Sequence, residues 1–310
     1  MLAPNPNRPA RRHGFASMVV IGWTGETIVR HRIELGENLA VLAGMVSGSI
    51  PLIYIDPPFN TGKPRRRTTT RTTPDLNGNR TGFGGRRYRT THLGTTSYAD
   101  AFDDYLAFLE PRLREAHRLL TSNGTLYVHL DPREVHYVKV LLDDIFGRAS
   151  FLNEIIWVYD YGGRPRDRWP AKHDNILVYV KNPRDYVFNA DDVDREPYMA
   201  PGLVTPEKAA RGKAPSDAWW HTIVSPTGKE KTGYPTQKPI GVLKRIVAAS
   251  SRPDDVVLDF FAGSGTTGAA ALALGRRFHL VDNNSEALEV MRRRFDGVAD
   301  VEYVGYEPAL

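Results

Sequence analysis

The sequence predicts an α/β chain whose mostly parallel sheet is doubly wound, with helices on both faces. Three observations carry that expectation. Leu52-Ile53-Tyr54-Ile55 and Val256-Val257-Leu258 are continuous apolar runs that end abruptly, the first on Asp56-Pro57-Pro58-Phe59 and the second on Asp259. Continuous rather than alternating apolar runs mark strands covered on both faces. The second run leads into a small-residue turn, Ala262-Gly263-Ser264-Gly265, and then an Ala-rich stretch, the strand–turn–helix unit of an open α/β sheet. Elsewhere, strand-like and helix-like segments alternate.

Taken in order, residues 1–24 carry Arg8, Arg11 and Arg12 without an apolar core of signal-peptide length. They are expected to form a flexible tail ahead of one domain over 25–310. Residues 26–33 alternate enough for a short strand. Gly36-Glu37-Asn38-Leu39 opens a helix expected to reach about Met45. Residues 60–97 break the pattern. Lys63, Arg65, Arg66, Arg67, Arg71, Arg80, Arg86, Arg87 and Arg89 face a single acid, Asp75, among threonines and glycines with almost no aliphatic residues. Such a segment buries no core and is expected to be a mobile basic loop.

Phe102, Tyr105, Leu106, Leu109, Leu113, Ala116 and Leu120 recur at helical spacing, with a break or restart at Pro111 and an end at Asn123-Gly124. Thr125–Leu130 reads as a strand. Asp131, Pro132 and Glu134 form a capping-box arrangement for a helix running to Gly147. Phe151–Tyr159 and Asn175–Val180 read as two further strands. Residues 183–232 lose periodicity and contain the pair Trp219-Trp220, as suited to anchoring the segment on the core as to contacting a ligand. A helix over Pro239–Ser251, the strand from Val256, a helix to about Leu274, a strand to Val281 and a helix at Ser285–Phe295 complete the fold. That last helix is capped from Asn283-Asn284-Ser285, with Leu288, Met291 and Phe295 on its core face.

Composition excludes several classes of function. The chain has no cysteine, so disulfides, Cys-ligated zinc and thiol nucleophiles are ruled out. No apolar run approaches 18 residues, so no membrane span is expected. No cluster of metal ligands is visible. The net charge of +5 is compatible with nucleic acid without being diagnostic of it.

The two strand ends carry the chemistry. Each proline lacks an N–H and fixes φ, and a residue before proline is held extended. Asp56-Pro57-Pro58-Phe59 is therefore a stiff corner at the C-terminal end of a buried strand, where open α/β sheets place ligands. It presents a carboxylate, backbone carbonyls and an aromatic face, a set suited to a flat ring carrying an exocyclic amino group. An ordinary Pro-Pro turn is the competing reading of these residues alone. At the second strand end, Gly263 and Gly265 let the backbone approach a ligand beside a helix N-terminus. Asp282, 23 residues beyond Asp259, is placed to accept from ribose hydroxyls. By itself this second pattern fits any nucleotide-binding doubly wound domain.

Together and in this order, the stretches resemble the exocyclic-amino DNA methyltransferases that use S-adenosylmethionine. Asp56-Pro57-Pro58-Phe59 is similar to their D-P-P-[Y/F] motif, and Phe261-Ala262-Gly263-Ser264-Gly265 to their F-x-G-x-G motif. Tyr234-Pro235-Thr236-Gln237-Lys238-Pro239 is similar to the H-P-T-Q-K-P stretch that precedes it, with Tyr234 departing from the usual histidine. The catalytic motif comes first, as in the permuted beta class. The resemblance covers residues from about 25 to about 297 and is weakest at 60–97 and 183–232. It implies a Rossmann-like methyltransferase fold in permuted motif order, with 183–232 as a small target-recognition segment.

The resemblance also implies site roles. Asp56, Pro57, Pro58 and Phe59 would be catalytic. Glu37, Asn38, Thr236, Gln237, Lys238, Asp259, Phe261, Ala262, Gly263, Ser264, Gly265, Thr266 and Asp282 would hold S-adenosylmethionine, released as S-adenosylhomocysteine, with no metal. An aspartate at position 56 goes mostly with adenine in that family and a serine mostly with cytosine. The expected reaction is therefore methyl transfer to adenine N6 in DNA, with cytosine N4 as the alternative. A non-catalytic DNA-binding homologue and a protein glutamine methyltransferase are the remaining readings, disfavoured by the intact Asp56 and by the motif order. Chemistry on a base edge is blocked inside a duplex, so the expected partner is double-stranded DNA with a flipped target base. A homodimer is an open alternative assembly, no membrane partner is expected, and the expected location is cytoplasmic. Lys63, Arg65, Arg66, Arg67, Arg86 and Arg87 would meet phosphates at the mouth of the site. Arg164 and Arg166 lie in an aromatic- and glycine-rich stretch, 159–169, suited to phosphates and unstacked bases.

Overall fold

The computed structural model describes residues 31–60, 65–81, 85–98, 102–225 and 228–305. The tail expected over 1–24 lies outside them, as does Lys63. The first half of the chain folds as β1 (His31–Leu35), α1 (Asn38–Ala43), β2 (Ile50–Ile55), β3 (Arg65–Pro74), β4 (Arg80–Thr81), β5 (Arg87–Tyr98), α2 (Tyr105–Leu119), β6 (Leu120–Leu130) and α3 (Val135–Phe146). The second half adds β7 (Phe151–Val158), β8 (His173–Val180), α4 (Pro206–Arg211), β9 (Ala218–Trp220), α5 (Ile240–Ser250), β10 (Val256–Asp259), α6 (Thr266–Ala273), β11 (Arg277–Asp282), α7 (Ser285–Arg294) and β12 (Val301–Val304).

Nine strands form one sheet in the order β12-β1-β11-β10-β2-β6-β8-β7-β9. Pairing is parallel from β12 through β6. β8 then runs antiparallel to both β6 and β7, so the sheet is mostly parallel, as the apolar runs predict. Its two faces are covered by separate apolar layers. On one face α5, α6 and α7 supply Leu243, Ile246, Ala270 and Leu288 against Leu52, Tyr54 and Val257. On the other, α1, α2 and α3 supply Leu42, Leu109, Leu113 and Val138 against Ile53, Ile55 and Leu258. Alternate residues of β2 and β10 thus feed opposite layers, and each strand must be apolar throughout.

The structure departs from the sequence reading in four places. Residues 65–98, expected as irregular loop, pair as the antiparallel sheet β3-β5-β4. Threonine is β-branched and strand-favouring, and a hairpin satisfies its backbone internally even where aliphatic residues are scarce. Pro111 does not break α2, which runs through it to Leu119. Leu109, Leu113 and Ala116 are fully buried on either side, and that packing outweighs the missing hydrogen bond. The helix then stops at Leu119, and Asn123-Gly124 lies inside β6 instead of ending the helix. Finally, Asp131 does not cap α3. Its carboxylate accepts from the Arg133 backbone N–H at 3.0 Å and pairs with the Arg133 guanidinium. The helix begins four residues later, at Val135.

Among the described residues no helix is long and apolar enough to cross a membrane. Ile53 is fully buried at the centre of the sheet, so Ile53→Ala should lower unfolding stability by about 2–5 kcal/mol. Urea denaturation measures this directly, and a loss below about 1 kcal/mol would show that the layer over β2 collapses to fill the gap.

Candidate active site

β2 and β10 are parallel neighbours, so their C-terminal ends, far apart in sequence, open onto one edge. A cleft of about 320 Å³ lies there. All the residues expected at the catalytic or cofactor site line it, with the exception of Gly265. Gly265 instead begins α6 with φ +71°, packed so closely that a Cβ would come within 2.8 Å of Met291.

At the end of β2, Asp56 Oδ2 is paired with the Lys238 ammonium. Asp56 Oδ1 is buried and has no hydrogen-bond partner among the described residues. The same ammonium lies over the Phe59 ring, 4.8 Å from its centroid. The corner is braced from beneath. Asn60, at φ +52°, accepts from the Phe102 N–H at 3.1 Å and donates to Glu134 at 2.7 Å. The His129 ring, fully buried, stands 6.0 Å from Phe59. Its Nδ1 meets the Tyr54 hydroxyl at 2.8 Å and its Nε2 meets Asp174 Oδ2 at 3.2 Å, while Tyr159 donates to Asp174 Oδ1 at 3.1 Å. Burial pushes the Asp174 carboxyl up, but its hydrogen bonds with His129 and Tyr159 and the nearby Lys238 charge hold it below the usual carboxylate range. An ionised Asp174 accepts from Nε2–H, which leaves Nδ1 to accept from Tyr54. Burial, with the charges of Asp56, Asp259 and Asp174, keeps the Tyr54 phenol neutral. This network is not legible in the sequence, where Tyr54 and His129 lie in segments that read as buried strands.

At the end of β10, Asp259 accepts from the Phe261 N–H at 3.0 Å and from the Thr267 hydroxyl at 2.6 Å. Burial pushes its carboxyl up to about 7 against those two bonds. Asp282, at the end of β11, accepts from the Gly263 N–H at 2.7 Å and the Asn284 N–H at 2.9 Å. Burial raises its carboxyl above the ordinary range despite these donors. Gly263 has φ +49°, and a Cβ there would come within 3.1 Å of the Tyr234 ring, so the turn leaves a backbone cradle that a side chain would fill. Arg294 ties the turn from below, donating to the Ser264 carbonyl at 2.7 Å and to Thr266 at 2.9 Å. Across the cleft, Asn38 donates to the Phe260 carbonyl at 3.0 Å. Arg112 of α2 holds both Asn38 at 2.7 Å and Glu37 at 2.5 Å, with its guanidinium over Phe108. Arg112, Phe108 and Phe102 line the cleft and were missed, because on an amphipathic helix they read as core and surface.

This set fits S-adenosylmethionine: an acidic residue beside a glycine cradle, aromatic faces at Phe108 and Phe261, and polar groups from α1. Gln237 lines the cleft, but its side chain bonds Thr232 and the Glu230 carbonyl, so it braces its own loop. Among the described residues no group of side chains is placed to hold a metal.

Of the residues expected to meet DNA, Arg86, Arg87, Arg164 and Arg166 are exposed, with Arg164 paired to Asp160 at 2.6 Å. The backbone of Arg65, Arg66 and Arg67 forms the start of β3, and their side chains lie outside the described residues. Lys172 orders the 159–172 loop by donating to the carbonyls of Tyr161, Gly162 and Gly163. The tryptophan pair divides. Trp219 is buried beneath Arg245, whereas Trp220 is 75% exposed and Trp169 is 95% exposed.

A family described as DNA methylase matches residues 50–293. The chain is 31% identical over 269 residues to the DNA adenine methyltransferase YhdJ of Escherichia coli (strain K12), covering 84% of this chain and 81% of that protein. It is 30% identical over 277 residues to the type II methyltransferase M.HpaI of Haemophilus parainfluenzae, covering 89% and 76%. Among solved structures, the M1.HpyAVI–SAM complex superposes with a TM-score of 0.55 at 20% identity, covering 86% of this chain and 98% of that one, which shows a shared fold.

The raised Asp259 carboxyl gives a pH signature. Its folded form holds a proton more tightly than the unfolded chain, whose carboxyl lies near 3.8. Stability from this group is therefore greatest below that value, falls as pH rises to about 7 and is flat beyond. Asp259→Asn should remove this slope, so the variant gains on the parent by on the order of a few kcal/mol between about pH 4 and 7. Urea denaturation across that range tests it, and parallel curves for the two proteins would show that Asp259 does not titrate there.

Proposed function

Because the chain belongs to the DNA methylase family, and is on that ground an S-adenosylmethionine-dependent DNA methyltransferase, we propose that it methylates adenine N6 in double-stranded DNA, with Asp56 as the group that receives the amine. One observation carries the role of Asp56. Its Oδ1 is buried without a hydrogen-bond partner among the described residues, and Asp56 and the aromatic Phe59 both line the cleft. An unpaired buried carboxylate oxygen is costly, and a ligand N–H relieves it. The adenine assignment is supported by the aspartate at position 56 and by the likeness to a named DNA adenine methyltransferase. A protein glutamine substrate has no support from the family, and the serine typical of cytosine N4 enzymes is absent.

When bound, S-adenosylmethionine supplies an electrophilic methyl group on a sulfonium. The chain supplies orientation. The target adenine leaves the duplex stack and lies against Phe59, because its N6 is inaccessible within the helix. Asp56 Oδ1 and the Pro57 carbonyl accept the two N–H bonds of the amine, turning its lone pair out of conjugation and toward the methyl group. Holding reacting atoms in line accounts for most of the gain available to such a site. As the nitrogen becomes positive, the Asp56 carboxylate stabilises it, and Oδ1 is the nearest acceptor for the proton the amine then loses. The Gly263 turn, Asp282, Asn38 and Glu37, which line the cleft, would hold the cofactor, with Asp282 placed to accept from ribose hydroxyls. Arg65, Arg66, Arg67, Arg86 and Arg87 meet phosphates, and the 159–169 stretch meets the opened strand.

Asp56→Ala should abolish transfer while leaving cofactor affinity within about threefold, a split expected of a residue that acts on the base. Labelled transfer to unmethylated DNA, followed by nucleoside mass spectrometry, should show N6-methyladenine from the parent protein and none from the variant. Near-full turnover by the variant would remove Asp56 from the chemistry, and a dominant N4-methylcytosine product would overturn the adenine assignment alone. Replacing Arg65, Arg66 and Arg67 by Gln should weaken DNA binding and reduce its salt slope by up to about 0.9 for each phosphate left without its arginine. A slope unchanged between the two proteins would show that these arginines are only solvated.

A further inference from the structure

The motif around Thr236-Gln237-Lys238 points to the cofactor, yet the Lys238 ammonium lies at the other end of the cleft. The two groups it contacts there, Asp56 Oδ2 and the Phe59 ring, belong to the corner after β2, and its charge also acts on Asp174. Its side chain is only 10% exposed. The preceding residues are arranged to deliver it there. Thr236 adopts φ +59° and donates to the Pro235 carbonyl at 2.6 Å, and Gln237 is bonded back to Glu230 and Thr232.

We infer that Lys238 is a positioning residue for methyl transfer: it anchors one oxygen of Asp56 so that the other meets the target amine, and it does not hold the cofactor. This rests on the proposed role of Asp56. A carboxylate turns freely about its Cβ–Cγ bond, so which oxygen faces the cleft, and at what angle, is undetermined until one is tied. Lys238 ties Oδ2, and the observed consequence is that Oδ1 alone is left without a partner. The position of the ammonium over Phe59 also fixes the aromatic face relative to the carboxylate, so both contacts of the base are set by one side chain.

The cofactor alternative is weaker on physical grounds. The one anionic group of S-adenosylmethionine is its carboxylate. Donors given to that carboxylate would be drawn from the one carboxylate the ammonium is seen to meet, Asp56.

The test separates binding from transfer. Lys238→Met keeps the length of the stem against Phe59 and removes the donor, whereas Lys238→Arg keeps a donor for Oδ2. Calorimetry with S-adenosylmethionine should give dissociation constants within about threefold of the parent for both, since neither variant touches the cofactor. Single-turnover transfer to unmethylated DNA at saturating cofactor should fall by about 100-fold in Lys238→Met, the scale of a small misplacement of a reacting group, and recover at least about tenfold of that in Lys238→Arg. A merely structural lysine would lower the melting temperature and affinity together without this split. A Lys238→Met protein whose cofactor affinity falls about tenfold while its saturated transfer rate is unchanged would overturn the inference and return Lys238 to the cofactor. Unchanged affinity and rate would overturn it too. If Lys238→Met shows no cooperative melting, Lys238→Gln is read in its place by the same criteria. A parent protein that transfers no methyl group to DNA would instead remove the reading of Asp56, and this inference with it.

Discussion

β2 and β10 are hydrogen-bonded neighbours, and their register, Leu52 against Val257 and Ile53 against Leu258, sets where Asp56 and Asp259 come to rest. Everything in the cleft depends on that pairing. The strands are parallel, so both chain exits lie on the same edge and both motifs end there. They are central, so each is covered twice, once by α1, α2 and α3 and once by α5, α6 and α7. A shift of one residue along β2 would carry Ile53 and Ile55 from one apolar layer into the other and turn Asp56 away from the edge. The apolar residues of the two strands therefore fix the position of the chemistry, although none of them takes part in it.

Three carboxylates gather at these strand ends, and the protein treats each differently. Asp282 is met by backbone N–H groups of the turns around it, and Asp259 by one N–H and one hydroxyl, too little to offset full burial, so its carboxyl is pushed up to about 7. Asp56 has a full ammonium on one oxygen and nothing among the described residues on the other. The two carboxylates that organise backbone are met only by neutral donors in the contacts described, and burial raises both. Of the three, only Asp56 is paired with a cation among the described residues. The buried chain from Tyr54 through His129 to Asp174 and Tyr159 supports the same corner by packing its ring beneath Phe59.

The features legible in the sequence were those set by local chemistry. Continuous apolar runs gave the buried strands, prolines gave the corner, and Gly263 and Gly265 gave a turn that needs positive φ at both. The features that escaped depend on long-range contact. Arg112 looks like any polar residue on an amphipathic helix until α2 is laid across α1, where it bonds Glu37 and Asn38. His129 sits in an apolar strand and acquires its meaning only when β8 pairs beside it and supplies Asp174. The 65–98 segment misled for another reason. Its composition lacks core residues, but an antiparallel hairpin draws its pairing from backbone and β-branched threonines, neither of which appears in a count of aliphatics. Pro111 was read from local propensity, which buried Leu109 and Leu113 override.

The layout also separates the part of the molecule that must stay fixed from the part that can vary. The corner after β2 is held by two prolines, by Asn60 bridging to Phe102 and Glu134, and by Lys238, contacts drawn from four separate stretches of chain. That degree of constraint suits a reaction in which alignment supplies most of the gain. The segment 183–232, by contrast, attaches at the opposite side of the sheet, through β9 against β7, through Trp219 beneath Arg245 and through Asn189 bonded to the end of α5. These anchors involve neither β2 nor β10, and only the end of the segment, where Glu230 and Thr232 bond Gln237 beside Lys238, bears on Asp56. Residues exposed beyond them, such as Trp220, can therefore change without moving Asp56.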